Sequence, residues 1–81
     1  MSEADKMFEE LGYEKKDFTE FIKYTKDSEI IYYENRNIIF YLKGYKVGAC
    51  YDDEEDFFPK INLTMQELKA INKKCEELEW L

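Results

Sequence analysis

Residues 38–51 read IIFYLKGYKVGACY, two runs of β-branched and aromatic residues divided by Gly44-Tyr45. Such side chains suit a pleated, half-buried strand, and glycine at the first central position suits a two-residue type II′ turn. The stretch therefore predicts a hairpin of strands Ile38–Lys43 and Lys46–Tyr51. A two-residue loop would pair Lys43 with Lys46, Leu42 with Val47, Phe40 with Ala49 and Ile38 with Tyr51. One face is then wholly apolar, which calls for a helix layer over it. The other carries Ile39, Tyr41 and Lys43 beside Lys46, Gly48 and Cys50.

Upstream of the hairpin, Asn35-Arg36-Asn37 reads as a turn, and Glu29–Tyr33 before it as another strand, set off by the turn signal Asp27-Ser28. An even-length turn at that point adds Ile30 and Tyr32 to the face of Ile39 and Tyr41. Phe18–Tyr24 reads as a strand, although Phe18, Phe21 and Ile22 would also make a helical stripe. Ser2–Leu11 places Ala4, Met7, Phe8 and Leu11 at spacings of three and four, and Gly12 supplies a stop, so a short helix is expected there.

Downstream, Asp52–Asp56 is an unbroken acidic run, and Pro59 marks a break. Ile61 and Leu63 alternate with polar neighbours as a short strand would. Thr64-Met65-Gln66-Glu67 has the capping-box pattern, so a helix starts there, with Leu68, Ile71, Cys75 and Leu78 as its apolar stripe. Phe40, Leu42, Val47 and Ala49 are expected to face Leu68, Ile71 and Leu78. The order defines an α+β fold: an N-terminal helix, an antiparallel β-meander of three to five strands and a C-terminal helix, in a single domain over 1–81.

The chain has 81 residues, 44% hydrophobic and 38% charged, which is enough for one core and too little for two. It has no histidine, which removes imidazole bases and the commonest metal ligand. Cys50 and Cys75 match no paired redox or zinc spacing, and the three glycines form no phosphate-cradling loop. Arg36 is the sole arginine, which leaves little for forked recognition of phosphate. Residues 1–6 carry acids instead of a basic leader, and no apolar run reaches the roughly 18 residues of a membrane span. These features predict a cytoplasmic protein that is no enzyme, with no cofactor, no bound metal and no membrane contact.

Twelve bases against nineteen acids give a net charge of −7. That balance disfavours direct nucleic-acid binding and favours a basic partner. Negative charge is concentrated in residues 1–14 and in the run Asp52, Asp53, Glu54, Glu55 and Asp56. The run has two structural readings besides a functional one. As a solvated loop it needs no partner. As a calcium loop it would use Asp52, Glu54 and Asp56, but Phe57 stands where the turn glycine belongs and Leu63 where the closing carboxylate belongs. As a binding element it would dock on a basic groove and imitate nucleic-acid phosphates.

Met7–Tyr13, with its ELGY sequence, and Thr64–Asn72, with its T-x-x-E-x-x-A-I pattern, together with Glu76–Trp80 resemble both ends of small phage and prophage proteins of low-GC Gram-positive bacteria. The resemblance implies a genetic setting and carries no catalytic residue with it. Phage accessory proteins of this size commonly bind host machinery, so it implies a binder of a host protein, an inhibitor of a defence or nucleic-acid-handling factor, acting in the host cytosol. The alternative expectation is a nucleotide-sequestering or structural homo-oligomer. It would use the aromatic sheet face of Ile30, Tyr32, Ile39 and Tyr41 as a homodimer or ligand surface.

Overall fold

In the computed structural model, which describes residues 1–52 and 61–81, the chain runs α1 (Glu3–Glu10), β1 (Glu14–Asp17), β2 (Phe21–Asp27), β3 (Asn35–Tyr41), β4 (Lys46–Tyr51) and α2 (Met65–Glu77). The strands form one antiparallel sheet in the order β1-β2-β3-β4. This is the expected α+β meander framed by helices, with four strands among the described residues.

Both helices pack on the same sheet face. Phe8 of α1 stacks on Tyr24 at 3.9 Å between ring centroids and meets Tyr13 and Phe40 edge-on at 5.7 and 6.1 Å. Ile22, Ile38 and Ala70 complete this core, with Ile71, Cys75, Leu78 and Trp80 packed against it. Ala4 and Ala70 are fully buried. Their small side chains let the two helices come close, and the Ala4 amide donates to Glu77 Oε2 at 2.9 Å. Ser2 caps α1, its hydroxyl accepting from the Asp5 amide, and Gly12 at φ +94° turns the chain from α1 into β1. Few residues other than glycine adopt that angle without strain.

The capping box is present in full: the Glu67 amide donates to Thr64 Oγ1 at 3.0 Å and the Thr64 amide to Glu67 Oε1 at 2.9 Å. Of the expected stripe of α2, Ile71, Cys75 and Leu78 pack against the core and Leu68 does not. Leu68 is 42% exposed, and Glu67, Ala70 and Lys74 face inward instead, because the two charged side chains find ionic partners under the helix.

The hairpin register is slipped by two residues. Phe40 pairs with Val47, Ile38 with Ala49 and Arg36 with Tyr51, across a four-residue loop of residues 42–45. Gly44 and Tyr45 both have positive φ, and the Leu42 amide is drawn to the Glu20 carbonyl at 3.0 Å, away from β4. A slip of two keeps every side chain on its expected face.

Three other expectations are corrected. Residues 29–33 form no strand: the Ser28 hydroxyl accepts from the Ile30 amide at 2.9 Å, and the Tyr33 amide donates to the Ile30 carbonyl at 3.1 Å, closing a local turn. Asn35-Arg36-Asn37 is the start of β3 and no turn, since Arg36 and Asn37 are buried with polar partners. Residues 61–63 are irregular and, among the described residues, pair with no strand. One strand went unforeseen: β1, Glu14-Lys15-Lys16-Asp17, is wholly charged and is held by its pairing with β2.

Candidate functional site

Arg36 lies on the helix-bearing face of β3, at the meeting point of several segments. Its Nη2 donates to Glu67 Oε1 and to the Asn62 carbonyl, each at 2.7 Å. Nε is shared between Glu67 Oε2 at 2.9 Å and the Tyr13 hydroxyl at 3.1 Å. Nη1 reaches Glu29 Oε1 at 3.1 Å and the Tyr51 hydroxyl at 3.3 Å. Tyr13 in turn donates to Glu67, and Tyr51 to Glu29. The planar fork of arginine matches the carboxylate of Glu67 with two parallel bonds, which lysine cannot do.

Burial alone would raise the Glu67 carboxyl, but the hydrogen bonds from Arg36, Tyr13 and the Thr64 amide hold it down at about 2. The Tyr13 hydroxyl is pushed up by burial and by its bond to Glu67. The bond to Glu67 raises Arg36 further, against its own burial. At neutral pH the cluster is therefore a fixed ion pair with a neutral tyrosine, and it has no proton to exchange. A cleft of about 290 Å³ opens beside it, lined by Lys26, Glu29, Arg36, Asn62, Thr64 and Glu67. Lys26 is tethered there by the Leu11 carbonyl at 3.2 Å and by the Tyr13 ring at 4.8 Å.

A second cluster surrounds Asp5 near the end of α2. Its carboxylate accepts from the Tyr24 hydroxyl at 2.5 Å, Lys15 Nζ at 3.0 Å and Lys74 Nζ at 3.4 Å. Burial opposes its ionisation, yet the bonds from Tyr24 and Lys15 and the charge of Lys74 bring it to about 2.

Of the acidic run, Asp52 is the one member among the described residues; Asp53, Glu54, Glu55 and Asp56 lie outside them, as does Phe57 of the calcium reading. Asp52 follows β4 directly with φ 51°, and its Oδ1 accepts from the Glu34 and Asn35 amides at 3.1 and 2.8 Å. Its own amide donates to the Asn35 carbonyl at 2.9 Å, and its carbonyl accepts from Asn37 Nδ2 at 2.5 Å. The residue that opens the acidic run is thus pinned to the end of the sheet, beside the β2–β3 loop. The tip of that loop carries Ile31 and Tyr32, 93% and 88% exposed.

Ile39 and Tyr41 do share the sheet face away from the helices. Ile30 and Tyr32 are not on it, because they sit in the β2–β3 loop. Phe21 joins Tyr41 across the β2–β3 pair, and Phe18 stacks on Phe21 at 4.5 Å. No disulfide joins Cys50 and Cys75. Among the described residues, no group of three or more histidine, cysteine or acidic side chains is placed to hold a metal, and no helix is long and apolar enough to cross a membrane.

The sequence reading missed Arg36, Glu67, Tyr13, Asp5 and Lys74 as interior residues. One signal was available: Glu67, Ala70 and Lys74 fall at i, i+3 and i+7, the same helix face as the small residue at its centre. No protein-family model, curated protein or solved structure matches the chain.

Proposed function

We propose that this chain is an accessory protein of phage or prophage type that acts by binding a host protein, with the acidic run at 52–56 presented to a basic groove in place of nucleic-acid phosphates. The observation that carries this reading is the anchoring of Asp52. Four hydrogen bonds fix the first acid of the run at the sheet end, next to the exposed Ile31-Tyr32 tip. An apolar anchor beside concentrated charge is how protein contacts gain both affinity and fast association. The buried acids support binding over catalysis, since Glu67 and Asp5 are held ionised in closed pairs.

A pull-down from host lysate identifies the partner, and titration with the purified partner then tests the mechanism. Replacing the five acids by Asn or Gln should weaken binding strongly, salt between about 50 and 200 mM should do the same, and duplex nucleic acid should compete. An affinity indifferent to both the neutralisation and the salt sinks the charge-mimic reading. A second reading, a ligand or self-association surface on the outer sheet face, is favoured by the ring group Phe18, Phe21 and Tyr41 with Ile39 beside it. Its test is quenching of tyrosine fluorescence by mononucleotides, which a Tyr41→Ser variant should lose.

A further inference from the structure

The two edges of the sheet are finished in different ways. At β1 every residue is charged and exposed, and such an edge resists addition of another strand. At β4 the stretch Val47-Gly48-Ala49-Cys50-Tyr51 has neither charge nor proline, and among the described residues no strand pairs with its outer side. Nor do the helices reach over it. Val47 is 38% exposed and Ala49 is exposed, whereas their cross-strand neighbours Phe40 and Ile38 are fully buried.

The ladder shows which backbone groups the edge offers. The Asp52 amide donates to Asn35, so Asp52, Cys50, Gly48 and Lys46 turn their amides and carbonyls toward β3. Val47, Ala49 and Tyr51 turn theirs outward.

We propose that this edge is a self-association surface: β4 of a second copy pairs with it antiparallel about a two-fold axis at Ala49, joining two four-stranded sheets into one. In that register Ala49 faces Ala49 of the partner subunit, and Val47 faces the partner's Tyr51. Every outward-turned amide and carbonyl of Val47, Ala49 and Tyr51 then has a mate. A slip of one residue would oppose outward groups to groups already used by β3, and a slip of two would leave some unmated. The centre of that register holds the smallest side chains in the strand, Gly48, Ala49 and Cys50. A second copy fits this edge better than a foreign strand because the edge complements itself in backbone and size at once, with no charge between Val47 and Tyr51 to repel its copy. The proposal does not depend on the host-protein reading.

Sedimentation of the full chain across about 5–500 µM tests it, a range suited to a small strand-to-strand contact. The mass should rise from 9.9 kDa toward twice that value with concentration. Ala49→Pro removes an amide that β3 does not use and should weaken the dimer at least tenfold, since proline is tolerated at such edge positions. Ala49→Glu and Ala49→Lys each oppose like charges across the axis and should have the same effect while moving the net charge in opposite directions. Circular dichroism should stay that of the wild type for the Glu and Lys variants, whose side chain replaces an exposed methyl. A chain that stays at 9.9 kDa at every concentration overturns the proposal. So does a dimer that survives the Glu and Lys changes, or one that is lost instead with Phe18→Ser on the outer face.

Discussion

Arg36 and Asp5 each centre a charged cluster between sheet and helices, one near the start of α2 and the other near its end. The side chains of Arg36 and Glu67 are 6% and 3% exposed, and two parallel bonds align them. Asp5 is 14% exposed and Lys15 33%, and its cationic partners are lysines that act as point charges. The Arg36–Glu67 pair at the heart of the first cluster has exchanged nearly all its water for protein, while Asp5 and Lys15 keep part of their hydration. The contrast teaches that the consequence of losing a charge depends on how far water can return to the partner left behind.

Breaking the first cluster should therefore give the largest effect. Arg36→Met leaves Glu67 buried and unpaired and is expected to cost about 3–5 kcal/mol in urea unfolding. The double variant Arg36→Met/Glu67→Leu should be less damaged than Arg36→Met alone, because no orphan charge remains. If the double change is as harmful as the two single changes summed, the ion pair is not the reason.

Acid titration comes next. Both Glu67 and Asp5 are held at about 2, below the ordinary carboxylate values of 4.5 and 3.8. A carboxyl lowered in the folded state contributes stability above its unfolded value, and that contribution fades as pH falls toward the folded one. Stability should therefore be flat above about pH 5 and drop by a few kcal/mol toward pH 2. Glu67→Gln should flatten that limb more than Asp5→Asn does. Equal flattening would mean that burial does not separate the clusters.

Asp5→Asn at neutral pH should cost about 1–2 kcal/mol, since water can reach Lys15, buried Lys74 keeps Glu77 at 3.9 Å, and the amide can still accept from Tyr24. A loss equal to that of Arg36→Met would erase the distinction between the sites. Thr64→Ala should be the mildest, on the order of 1 kcal/mol, because it removes the cap while Arg36 still grips Glu67. No change in the urea midpoint would mean that the Arg36 contact alone sets where α2 begins.

The sequence made the apolar half of this interior readable and the charged half unreadable. Ala4, Phe8 and Ile71 fell on helical stripes, and Ile38 and Phe40 on an alternating strand, so their burial followed from periodicity. Arg36 and Asn37 broke the same patterns and read as a turn, and Glu67 read only as the end of a capping box, since charged residues are seldom fully buried unless paired. Their partners lie 31 and 15 residues away in the chain, where local spacing carries no information. The hairpin shows a smaller version of the same limit: its faces followed from alternation, whereas its register did not, since a slip of two leaves every side chain on the same face. For the candidate site, the acidic run and its net charge were legible in full, but the pinning of Asp52 by the Glu34 and Asn35 amides was not.

The pairing of α1 with α2 also governs when the protein can fold during synthesis. Tyr13 is translated 54 residues before Glu67, and Phe8 before Ala70 and Lys74 by a still longer stretch. At roughly 5–20 residues per second the ribosome leaves that aromatic surface without its cover for several seconds. A nascent chain stalled after β4 would hold the hairpin strands but neither the mate of Arg36 nor the second helix. Protease protection of stalled nascent chains should accordingly be gained in one late step, once α2 has cleared the exit tunnel, instead of building up strand by strand.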